Sequence, residues 1–94
     1  MSNEASILIV DDEEDLTQLI GEILEKYNYS VKKAHTGYDA LQMLNFQPYD
    51  LVILDLIMPT LGGLETLEKI KRIDSGLPVI ILTAMIGLIR LLKR

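Results

Sequence analysis

Three runs in this chain are apolar without interruption: Ile7 to Val10, Leu51 to Leu54 and Val79 to Leu82. Each is four residues long and rich in β-branched side chains, too short for a helix and without polar alternation, so each predicts a strand covered on both faces, as in a parallel sheet. Between them the period changes. Leu16, Leu19, Ile20, Ile23, Leu24 and Tyr27 follow the i, i+3, i+4, i+7 rhythm of a helix with one face on a sheet. Ser30-Val31-Lys32-Lys33-Ala34 is short and carries two lysines, as an edge strand does when it must discourage foreign pairing. Thr36-Gly37-Tyr38-Asp39 fits a capping box and opens a helix through Ala40, Leu41 and Leu44 that ends before Pro48. Gly62 and Gly63 turn the chain into a third helix, with Leu64, Leu67, Ile70 and Ile73 inward, stopped by Ser75-Gly76 and Pro78. The order β-α-β-α-β-α-β with right-handed crossovers predicts a parallel sheet layered between helices.

With 94 residues there is room for one small domain, burying about 60–65% of the surface its unfolded chain would expose. The formal net charge of −5 argues against a sequence-independent nucleic-acid binder, whose surface would be basic, and no direct nucleic-acid partner is expected. Cysteine is absent, which excludes disulfides and thiolate metal sites. The start Met-Ser-Asn-Glu-Ala-Ser lacks the basic and apolar regions of a signal peptide, so the cytoplasm is the expected location. The longest apolar tract, Leu77 to Leu92, contains Pro78, Thr83, Gly87 and Arg90 and falls short of the ~20 residues a spanning helix needs. No membrane span is expected.

Candidate chemistry lies where the strands stop. The first apolar run ends on Asp11 and Asp12, the central one on Asp55 and the last on Thr83. A lone acid in such a place is often a helix cap, and Glu13, Glu14 and Asp15 are explained by the positive end of the following helix. Asp11, Asp12 and Asp55 need another account, because a parallel sheet brings its strand ends to one crevice, where ligands bind. Carboxylates gathered there repel unless a hard divalent cation sits among them, and Mg²⁺ takes such oxygen ligands. An ionised Asp55 is a competent nucleophile toward a phosphoryl group, with the Thr83 hydroxyl and nearby backbone N–H groups placed to stabilise the transferring oxygens. The single His35, in the turn before the second helix, has no second imidazole or thiolate to join and reads as a surface residue.

These pieces in this order resemble the receiver domain of two-component response regulators. The matching stretches are Ile7 to Glu13, Gly37 to Leu41, Tyr49 to Pro59 with Gly62 to Glu65, and Leu77 to Ala84, together covering residues 7 to 84. The resemblance implies a flavodoxin-like α/β/α sandwich with strand order 2-1-3-4, the usual fifth strand and helix missing. It also implies that Asp55 takes a phosphoryl group from a phosphohistidine on a sensor histidine kinase or a phosphotransfer protein. Asp12, Asp55 and the backbone carbonyl of Ile57 would bind Mg²⁺ directly, Asp11 would help through water, and Thr83 would contact the phosphoryl group. The expected activity is that of a phosphoacceptor, with self-catalysed phosphoryl transfer at most.

Residues 1–84 then form the receiver-like domain and 85–94 an apolar C-terminal helix or tail. The lysine that a receiver's fifth strand would carry has no counterpart, which raises a rival reading: an interaction or dimerisation module that keeps the fold without efficient phosphorylation. A phosphatase with an Asp nucleophile would need a second acid two residues on, and position 57 is Ile. Strand 79–82 carries none of the charges that protect an edge, and residues 85–92 bring six large apolar side chains. Burying each fully is worth ~1.5–3 kcal/mol, so a homodimer through the 79–82 edge and residues 85–92 is expected.

Overall fold

In the computed structural model, which describes residues 4–56 and 61–82, seven elements follow one another in the predicted order. They are β1 (Ser6–Val10), α1 (Glu14–Lys26), β2 (Ser30–Ala34), α2 (Gly37–Phe46), β3 (Leu51–Leu54), α3 (Gly63–Ile73) and β4 (Val79–Ile81). All four strands are parallel, in the order β2-β1-β3-β4. β1 and β3 are therefore the central pair, and their registry, Val10 opposite Leu54, carries on so that the next residues, Asp11 and Asp55, stand side by side.

Alternation along the two central strands divides the core. Leu8, Val10, Val52 and Leu54 point to one face, where Ala40 and Leu44 of α2 and Ile70 of α3 cover them. Ile7, Ile9 and Ile53 point to the other, where Ile20 and Leu24 of α1 pack. Burial on both faces explains why these strands are apolar at every position rather than at every second one. The result is the three-layer α/β/α sandwich.

The helices lie on the sheet along narrower stripes than their apolar spacing suggests. α1 presents the buried Thr17 and Gly21 with the half-buried Leu16, Ile20 and Leu24, whereas Leu19, Ile23 and Tyr27 are exposed, Tyr27 at 72%. A flat sheet covers only about a third of a helix circumference, and α1 has apolar residues over a wider arc than that. In α3 the inward residues are Gly63, Thr66, Leu67 and Ile70, while Leu64 is 65% exposed and Ile73 is also exposed. The α3 face is set by the close approach of Gly63 to the backbone of Leu56, which turns Leu64 outward. α1 ends through Asn28, whose φ of 68° is the left-handed conformation common just past a helix end.

The Thr36 hydroxyl accepts a hydrogen bond from the Asp39 amide at 3.0 Å, as the capping box predicts. β2 is an edge with Lys32 and Lys33 exposed. β4 pairs only with β3 among the described residues, and Ile80 and Ile81 are 49% and 40% exposed, so this run is not covered on both faces as its sequence suggests. Residues 85–92, the other half of the expected dimer surface, lie outside the described residues. No helix among the described residues is long and apolar enough to cross a membrane.

Candidate functional site

The site is built at the carboxyl ends of β1 and β3. The Asp55 amide donates to the Val10 carbonyl at 3.0 Å, and the Asp11 amide to the Ala34 carbonyl at 3.1 Å, so ladder bonds continue one residue past each central strand. Both acids are thereby held on the sheet, and both are fully buried. Asp11 also accepts at Oδ1 from the Glu13 amide at 3.1 Å, a tight turn that hands the chain to α1. Asp12, at the crest of this turn, is exposed.

One carboxylate oxygen from each of Asp11, Asp12 and Asp55 lies within 4.8 Å of the others. The three acids that the sequence singles out are thus brought together. The Gly63 amide donates to the Leu56 carbonyl at 3.2 Å, which ties the start of α3 to the residue after Asp55. Ile57 and Thr83, the other two expected site residues, lie outside the described residues.

Three hard oxygen donors gathered within 4.8 Å of one another are a donor set that Mg²⁺ accepts, with water completing its shell. The exposed Asp12 has room to adjust to an ion, whereas Asp11 and Asp55 are already set by the sheet. Without a cation, carboxylates gathered in this way repel one another. Elements that bring acids together in this way hold electrostatic strain that a divalent ion relieves.

His35 belongs to this end of the sheet as well. Its ring Nδ1 lies 3.2 Å from the Asp11 carbonyl oxygen. It is exposed, as expected, but it is not an idle surface residue. The signal that would have found it is the strand order: β2 lies beside β1, so the residue after β2 necessarily neighbours the residue after β1.

This fold is one that known proteins share. The family model of the response regulator receiver domain matches residues 7–90, and the chain belongs to that family. Among curated relatives, it is 45% identical over 80 residues to a transcriptional regulatory protein CpxR homolog of Haemophilus influenzae, covering 85% of this chain and 34% of that one. Sporulation initiation phosphotransferase F of Bacillus subtilis is 40% identical over 84 residues, covering 89% of this chain and 67% of the relative. The chain thus spans about a third of the length of the first relative and two thirds of the second. Among solved structures, one chain of the complex between histidine kinase ThkA and response regulator protein TrrA superposes with a TM-score of 0.80 at 39% identity, covering 85% of this chain and 69% of that one.

Proposed function

We propose that this receiver domain accepts a phosphoryl group on Asp55 from a phosphohistidine of a sensor histidine kinase or phosphotransfer protein, with Mg²⁺ held by Asp11, Asp12 and Asp55. The observation that carries the reading is the meeting of three acids from two strand ends within 4.8 Å, two of them fully buried. A bound Mg²⁺ would supply positive charge to the transferring phosphoryl oxygens.

The chain's own residues do the rest. Asp55, fixed by its amide bond to Val10, presents a carboxylate oxygen for in-line attack on phosphorus. The new O–P bond forms as the P–N bond to the donor imidazole breaks, and the imidazole leaves with the electron pair of that bond and takes up a proton. Asp11 and Asp12, with Asp55, would hold the ion. The domain is then a substrate of its partner and, at most, a catalyst of its own modification, rather than an enzyme that turns over. Leu19, exposed on α1, offers an apolar contact for the donor protein. We further propose that copies associate through the β4 edge, supported by the exposure of Ile80 and Ile81.

Incubation with a small acyl-phosphate donor and Mg²⁺, followed by intact-mass measurement, tests the central reading. A single added phosphoryl group is expected, absent in Asp55→Asn and absent when a chelator removes the ion. Equal uptake by Asp55→Asn would overturn it.

A further inference from the structure

We infer that His35 is a positioning residue for the acidic site: its ring, by holding the Asp11 carbonyl, sets the direction in which Asp12 leaves the turn. The inference rests on the metal-binding reading above and assigns to that site a residue from β2's end of the sheet, outside the two strands that supply the acids.

The geometry is specific. The carbonyl of Asp11 belongs to the peptide unit joining Asp11 to Asp12, and a carbonyl oxygen can only accept, so the ring must carry its proton on Nδ1. A donor at 3.2 Å from that oxygen fixes the plane of the unit, and with it the line along which the Asp12 side chain departs. Two further ties of this turn act on different atoms: the Asp11 amide donates to the Ala34 carbonyl, and Asp11 Oδ1 accepts from the Glu13 amide. These hold Asp11 itself on the sheet. Asp12 is exposed, and its Cα directly follows that peptide unit. The residue contacting that unit is placed for the task by two features already described. Ala34 ends β2 beside Val10, and Thr36 caps α2, so His35 is pinned between a strand end and a helix start.

The exposure of His35 means that truncating it removes a hydrogen bond without opening the core. A net contribution of the usual size for such a bond corresponds to a loss of roughly three- to tenfold in ion affinity. Shape distinguishes this role from a general structural one. Asparagine places an amide N–H close to where Nδ1 sits, whereas glutamine places it one bond farther out.

The test is a Mg²⁺ titration of the intact chain, followed by the backbone amide resonances of residues 11–13 and 55, at a pH well above the ordinary histidine range. His35→Ala and His35→Gln are expected to weaken binding about three- to tenfold, and His35→Asn to stay within about twofold of the parent chain. Thermal midpoints without the ion serve as the check that all variants are folded. Affinities equal to the parent in all three variants overturn the inference, and so does an equal loss in all three, Asn included. A parent chain that shows no Mg²⁺-dependent shift at these residues instead defeats the metal-binding reading itself and the inference with it.

Discussion

Replacing Asp12 by Asn should make the domain more stable without a divalent ion and deprive it of the gain that the ion brings. Asp12 contributes one of three carboxylate oxygens lying within 4.8 Å of one another. Two unit charges at the 4.8 Å limit of that range repel by about 3.5 kcal/mol at an effective dielectric of 20. Asp12 is exposed while Asp11 and Asp55 are buried, so solvent screening reduces each of its two pairings to about 1 kcal/mol. Removing both gives about 2 kcal/mol, which for a domain of this size raises the melting midpoint by about 8–15 °C. The parent chain, in turn, should gain about 1.4 kcal/mol when Mg²⁺ is tenfold above its dissociation constant, and Asp12→Asn much less. Thermal unfolding of both proteins by circular dichroism, in chelator and in Mg²⁺, reads all four numbers. A variant less stable than the parent in chelator, or one that gains as much from Mg²⁺, would refute the view of this crevice as strained acids awaiting a cation.

Three further outcomes follow from particular contacts. A Cβ at Gly37 would press on the Thr66 hydroxyl and stand 2.9 Å from Leu61 Cδ2, whereas one at Gly62 would meet nothing within 4 Å. In urea unfolding, Gly37→Ala should therefore lose about 1–3 kcal/mol while Gly62→Ala stays within about 0.5 kcal/mol of the parent; a reversed order contradicts the packing of α2 on α3. Asn28→Gly should match or exceed the parent in stability and Asn28→Ala should lose about 1 kcal/mol, since the φ of 68° there disfavours a Cβ; equal losses in both variants would remove the left-handed residue from the account. In sedimentation equilibrium at micromolar concentration, association through β4 gives a dimer mass that falls to the monomer mass when Ile80 and Ile81 are both changed to Lys; a monomer mass in the parent removes that proposal.

The sheet was legible because burial on both faces leaves a strand no polar position, and Ile7 to Val10 and Leu51 to Leu54 have none. The acids were legible for a related reason: Asp11 and Asp55 interrupt such runs where a parallel sheet opens its crevice. Helix faces were harder. In α1 five large apolar residues span more of the circumference than the sheet can cover, and nothing local says that Leu19 and Ile23 are the ones left outside. In α3 the face depends on Gly63 meeting the Leu56 backbone, a contact between residues seven apart. Thr66 escaped notice because a hydroxyl is buried at no great cost only when it finds an acceptor, here the Gly62 carbonyl at 2.9 Å. His35 joins the site through strand order, a tertiary fact that a single imidazole in a turn does not advertise.

The most direct measurement is the chemical identity of the modified residue. After reaction with a small acyl-phosphate donor and Mg²⁺, borohydride reduction converts an aspartyl phosphate to homoserine, which peptide mass spectrometry locates. Homoserine at position 55, with Asp11 and Asp12 unchanged, is the outcome expected of a nucleophile held at the end of the central strand and flanked by two further acids. Homoserine at position 11 or 12, or a phosphoryl group found on His35, would contradict it.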